Sequence, residues 1–173
     1  MAKWIVDPAH SEVGFRIKHL MITNVKGHFR NFQADVETTG DSADVFKVSK
    51  IKFTADVSSI DTGNEQRDQH LKTADFFNAE KHPQIIFDGK KYEGDFLEGD
   101  LIIAGITKPV KLDVEFGGMA KDPWGNTKAG FTITGKINRK DWGINWNTAL
   151  ETGGFLVGDE VSIHADIQFV KQN

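Results

Sequence analysis

Six histidines are the side chains best suited to acid–base or metal chemistry near neutral pH. Their spacing argues against both. No His-x-His and no His-Glu-x-x-His occurs, and His10, His19 and His28 share only a nine-residue repeat with no ligand geometry behind it. Ser11 follows His10, yet a nucleophilic serine needs a base, an oxyanion hole and a strand–turn–helix setting such as Gly-x-Ser-x-Gly, which the chain lacks. Neither Gly-x-Gly-x-x-Gly nor a lysine-containing phosphate loop occurs. The absence of cysteine excludes disulfides, thiolate nucleophiles, cysteine zinc sites and iron–sulfur clusters held by thiolates. No catalytic residue, metal or cofactor is assigned, and an enzyme is disfavoured.

Other residues point to binding. Thr62-Gly63-Asn64-Glu65 reads as a capping box with Thr62 as N-cap, which predicts a helix of about two turns through Leu71. Arg67, His70 and Leu71 then share a face, and Asp68 and Lys72 form an i, i+4 pair on the outside. Phe76 and Phe77 follow, with Pro83 barring any further helix. Arg67, His70 and the helix start suit a phosphate or quinone head group. Equally, Arg67 and Asp68 can tie the helix to neighbouring strands, and both roles can coexist.

The elements that must position these groups are strands. In Ser11–Leu20, Val13, Phe15, Ile17 and His19 alternate with Glu12, Gly14, Arg16 and Lys18, and Ser49–Ser59 places Ile51, Phe53, Ala55 and Val57 on one face. Val110–Phe116 and Val161–Phe169 alternate likewise, and weaker strands fall at Val25–Glu37, Gln84–Tyr92, Phe96–Ile103 and Lys128–Asn138. The Phe29–Phe32 spacing slips by one residue, which predicts a β-bulge. Turns are expected at Asp88-Gly89, Glu93-Gly94, Glu98-Gly99, Gly117-Gly118 and Asp122–Asn126. Alternation implies antiparallel strands with one wet face. About eight of them suit a closed barrel or a sandwich, and the helix would plug or border one end.

Composition bounds the partners. At 173 residues the chain is expected to form one domain, spanning 1–173, and 39% hydrophobic with 27% charged residues is a globular balance. Its longest apolar run, Leu101–Ile106, is six residues, so no stable membrane insertion by a helix is expected. The first residues lack a signal-peptide core, which predicts a cytoplasmic location unless a leader has been removed. A net charge of −4 argues against nucleic acid. Thirteen Phe against one Tyr suit a surface that stays dry. An exposed edge strand leaves a homodimer open.

Several blocks resemble the YceI-like family: Asp7-Pro8-Ala9-His10-Ser11 with Phe15 and His19; Val25-Lys26-Gly27-His28-Phe29; and Ser59-Ile60-Asp61-Thr62-Gly63 with Arg67-Asp68-Gln69-His70-Leu71 and Asp75-Phe76-Phe77. Gly105-Ile106-Thr107-Lys108-Pro109-Val110, Asn138-Arg139-Lys140-Asp141-Trp142-Gly143-Ile144 and Asp159-Glu160-Val161 continue the match in order across nearly the whole chain. The resemblance implies an all-β fold, an extended eight-stranded antiparallel lipocalin-like β-barrel with one short helix and loop bordering one end. It also implies a non-catalytic protein that binds, stores or transports a long-chain amphiphile, such as a polyisoprenoid or isoprenoid quinone, in the barrel. The expected ligand contacts are Phe15, Ile17, His19, Phe53, Arg67, His70, Leu71, Phe76, Phe77, Phe87, Phe116, Phe131, Ile133 and Trp142. Trp124, Trp142 and Trp146 either rim an entrance or pack on the barrel end. The alternative is a structural or stress-response protein whose barrel is filled by its own side chains and binds a partner through its surface.

Overall fold

A computed structural model describes residues 2–20, 22–39, 50–93, 95–147 and 156–172. It contains eleven strands: β1 (Ala2–Val6), β2 (Glu12–His19), β3 (Thr23–Phe29), β4 (Phe32–Thr38), β5 (Lys50–Asp56), β6 (Ile60–Asp61), β7 (Gln84–Glu93), β8 (Phe96–Ile103), β9 (Ile106–Lys121), β10 (Thr127–Asn138) and β11 (Val157–Lys171). The helix α1 spans Glu65–Leu71. All pairings are antiparallel, in the order β1-β4-β5-β7-β8-β9-β10-β11, and β1 pairs β11 to close an eight-stranded barrel. The remaining order runs from β11 to β2, β3 and β6.

These last three continue strands already in the ring. β1 and β2 both run antiparallel to β11, separated by a 3-10 turn at Pro8–His10. β3 and β4 are split at Arg30 and Asn31, and β5 and β6 by a 3-10 turn at Val57–Ser59. The slip between Phe29 and Phe32 is therefore a break in the strand rather than a bulge. Asn31 and Ser59 carbonyls accept from the Asp56 and Arg30 amides at 2.9 and 3.1 Å, so the breaks lie side by side and hold one another. Three neighbouring strands thus bend at one level, and the ring splays beyond it.

The two halves differ in what fills them. In the half formed by β1, β4, the start of β8 and the end of β11, Trp4 is fully buried and Val36, Leu97, Val114 and Phe169 are nearly so. Phe131 packs on Phe116, Phe169 and Tyr92 with ring centroids 5.0, 5.9 and 6.4 Å apart. This half is a packed core of ordinary kind. Beyond the breaks, β6 has no strand on its far side among the described residues, and the chain crosses to β7 through α1 and residues 72–83, whose apolar side chains pack against the core at that seam.

Three of the expected turns are strand interiors. Gly89 and Gly99 face each other between β7 and β8, and a Cβ on Gly99 would lie 2.7 Å from the Phe87 ring and 2.5 Å from the Asp88 carbonyl. Those glycines make room for a ring and a neighbouring backbone, a use that sequence cannot distinguish from a turn. Gly117-Gly118 lies within β9, at a register shift against Gly130 and Phe131. Gly94 falls outside the described residues. The Asp122–Asn126 turn forms as expected, with the Asp122 carboxylate accepting from the Trp124 and Asn126 amides at 2.9 Å each. Ala104-Gly105 makes the tight turn from β8 to β9, both with positive φ (50° and 78°), as a two-residue hairpin of this hand requires.

A polar staple secures the first strand break. Asp7 caps the 3-10 turn through the Ala9 amide at 3.1 Å and accepts from His10 at 2.8 Å and from Lys128 of β10 at 2.9 Å. Burial pushes the Asp7 carboxyl up, but hydrogen bonds from Lys128 and His10 outweigh it and hold the group below its ordinary value. A carboxyl depressed on folding adds stability above its unfolded value of about 3.9, lost as pH falls through the lower folded value. Melting curves should therefore show a constant gap between wild type and Asp7→Asn from neutrality to about pH 5, closing in more acid solution. A gap that widened in acid would contradict this.

Candidate functional site

The splayed half encloses a cavity of about 540 Å³. β2 supplies Val13, Phe15, Ile17 and His19 from one face, while Glu12 and Arg16 stand outside. β11 faces them with Val161 and Ile163, Ile163 lying opposite Phe15 in the ladder. Phe53 and Ala55 from β5, Ile85 from β7, Leu101 and Ile103 from β8, and Ile137 from β10 complete the wall.

The seam side carries the aromatic and polar groups. Phe15 packs on Phe29 at 5.9 Å, and Phe29 meets Phe77 edge-on at 6.2 Å. The His70 ring stands edge-on to Phe76 and Trp146, with centroids 5.1 and 4.8 Å away, and its Nε2 lies 2.9 Å from Asp75. Arg67 donates from Nε and Nη2 to the Thr62 hydroxyl and carbonyl at 2.7 and 2.6 Å, which pins α1 to the end of β6 while Arg67 still borders the cavity. The expected tie between the helix and a neighbouring strand is thus present, and the same residue borders the cavity.

The helix start differs from the capping box. The N-cap is Asn64, whose side chain accepts from the Arg67 amide at 3.0 Å. Thr62 instead gives its amide and hydroxyl to the Asp68 carboxylate. Asn and Thr both cap well, and Asn64 holds the extended backbone (φ −143°, ψ 113°) that a cap needs. Asp68 is accordingly engaged by Thr62 instead of forming the expected outward pair with Lys72.

The wall also holds a buried cation. Arg139 is 4% exposed and directs Nε to the Gly158 carbonyl at 2.8 Å and Nη1 to the Ile144 and Trp146 carbonyls at 2.9 Å each. Asp159 approaches at 3.8 Å, and burial lowers the Arg139 pKa although Asp159 opposes the shift. These bonds fasten residues 144–146 to the start of β11. Asn147 adds a reciprocal pair with the Val157 backbone at 2.7 and 3.0 Å. Trp142 is held by its indole N–H to the Leu101 carbonyl at 2.9 Å.

Ten of the fourteen expected contacts border this cavity: Phe15, Ile17, His19, Phe53, Arg67, His70, Leu71, Phe76, Phe77 and Trp142. Phe87, Phe116, Phe131 and Ile133 do not. They belong to, or pack against, the core. Alternation showed that they point inward, but it carries no information on depth along the barrel. Trp146 borders the cavity, whereas Trp124 is 83% exposed on the β9–β10 turn at the other end. Val13, Val161 and Ile163 were readable from the same alternation that gave Phe15; Arg139 had no local signal, since a lone arginine after a strand looks solvated.

The charge on the wall has one sign. The cations Lys18, Arg67 and Arg139 border the cavity beside the imidazoles of His19 and His70, and among the described residues no carboxylate does. No three His, Asp or Glu side chains among the described residues are placed to hold a metal. No described helix is long and apolar enough to cross a membrane.

Comparison with known proteins agrees with this architecture. A UPF0312 protein of Staphylococcus aureus strain N315 is 44% identical over 172 residues, covering 98% of each chain. One from Staphylococcus epidermidis strain RP62A is 43% identical over the whole of both. The crystal structure of the Campylobacter jejuni YCEI protein superposes with a TM-score of 0.76 at 37% identity, covering 96% of each chain. A polyisoprenoid binding domain from Saccharophagus degradans shares the fold, with a TM-score of 0.74 at 10% identity and 98% of each chain covered. The model of the YceI-like domain matches residues 4–169, and the chain belongs to that family.

Proposed function

We propose that this protein is a non-catalytic carrier that holds the tail of a long-chain amphiphile in the splayed half of the barrel, with its head group among Arg67, His70 and Asn64. The observation that carries this is the apolar cavity of about 540 Å³, within the range of sites that enclose small organic ligands. Ten buried methylenes nominally contribute about 8 kcal/mol, close to micromolar affinity before the cost of ordering the chain. Tail affinity is thus easily reached, and the head group must supply discrimination. A wall with cations and no carboxylate favours an anionic or carbonyl-bearing head, such as a phosphate, a carboxylate or a quinone, over an ammonium. The Saccharophagus degradans polyisoprenoid binding domain of like fold supports an isoprenoid tail. The bordering hydroxyl, Thr62, is committed to Asp68 and Arg67, an arrangement suited to structure rather than to nucleophilic attack.

Native mass spectrometry tests this directly. Gently purified protein should carry a hydrophobic adduct. Once stripped of lipid, it should retain a carboxylate-headed amphiphile at least tenfold better than a trimethylammonium amphiphile of equal tail length, a preference of about 1.4 kcal/mol. A clean apo mass with no uptake of either overturns the carrier, and equal uptake overturns the head-group assignment.

A further inference from the structure

Beside the mouth, the turn from β2 to β3 exposes Leu20 and Ile22, at 39% and 75%. Neither borders the cavity, yet the turn is continuous with it: His19 and Val25, which flank it, both line the wall, and the Leu20 amide donates to the carbonyl of Leu156, another wall residue, at 2.8 Å. Behind this apolar tip, Arg16, Lys18 and Lys26 are exposed on the two strands, Arg16 and Lys26 as a cross-strand pair. Like charges set directly opposite each other repel, so this pair concentrates positive charge behind the tip. Of the carboxylates in β11 near this level, Asp159 is occupied by Lys140 at 3.3 Å and approached by Arg139, leaving Glu160 against three cations.

We infer that this hairpin docks the barrel mouth on an anionic lipid surface, Leu20 and Ile22 entering the head-group layer while Arg16, Lys18 and Lys26 meet its negative charge. A chain of net charge −4 is repelled by such a surface as a whole, so a local basic face also sets the orientation of approach. Two apolar side chains and three cations give weak, reversible attachment, which suits loading and unloading rather than anchoring. The purpose of docking rests on the carrier reading, but docking itself is measured separately.

Co-sedimentation with vesicles of phosphatidylcholine alone, and of an equal mixture with phosphatidylglycerol, tests this on the full chain. Binding to mixed vesicles should exceed binding to neutral ones by at least tenfold and weaken with added salt. The double variants Leu20→Ser/Ile22→Ser and Arg16→Glu/Lys26→Glu should each lose at least tenfold, with melting temperatures unchanged and, for the first, lipid retention in native mass spectra unchanged. Equal binding to both vesicle types, or no binding by a protein that still carries its lipid, overturns docking and leaves the carrier standing. Sedimentation velocity showing a dimer that Leu20→Ser/Ile22→Ser dissociates would assign the tip to a second copy instead and overturn the proposal.

Discussion

Ile163→Trp should empty the protein of its ligand while leaving it folded. Ile163 points into the cavity from β11, opposite Phe15, with open space before it. An indole there displaces three or four methylenes of a bound tail, about 2.4–3.2 kcal/mol, or close to a hundredfold in retention. Filling a void usually raises stability by about 0.5–2 kcal/mol, so the melting point should hold or rise. Ile167→Trp, two pleat repeats further along the same face of the same strand, is the control. Ile167 is 5% exposed and paired with Phe131 in the filled half, where an added ring overpacks the core and costs about 1–3 kcal/mol or more. Native mass spectra and melting curves of the two variants should therefore change in opposite ways. Undiminished lipid occupancy in Ile163→Trp would place the tail elsewhere.

Arg139→Met should be the most damaging single change to the site. It leaves the Gly158, Ile144 and Trp146 carbonyls without their buried donor. An unsatisfied buried acceptor costs about 1–3 kcal/mol, so the three together cost about 3–9 kcal/mol. At this chain length that corresponds to a fall of about 10 °C or more in melting temperature. Arg139→Lys should rescue little, because one ammonium cannot reproduce a planar fork that reaches three carbonyls. Trp146, held by the same fork, would lose its seat against His70, so lipid retention should fall with stability. A melting point within 2–3 °C of wild type, a change of about 1 kcal/mol, would show that the fork is dispensable.

The barrel was legible because its strands alternate: β2, β5 and β11 each declare an inner face, and the cavity wall is assembled from those faces. β1 was not recognised, since Ala2–Val6 is too short for periodicity to register, although it brings the fully buried Trp4 to the core and closes the ring. β6, two residues long, left no pattern at all. Inward direction is readable but axial depth is not, which is why Phe53 and Phe131 look alike in sequence although only Phe53 borders the cavity. Sequence leaves hollow and filled interiors open as alternatives; the molecule has one of each. Arg139 escaped notice because its role depends on carbonyls at 144, 146 and 158 that only the tertiary fold brings together.

The aligned interruptions at Pro8–His10, Arg30–Asn31 and Val57–Ser59 separate a plug from a cup made of the same chain. Apolar residues that face the void can be exchanged, enlarged or recoloured while the plug goes on specifying topology, provided the Arg139 fork is kept. The shape of such a vessel's interior can change without a change of architecture, and a designer seeking a new guest need redraw only the residues that face the void.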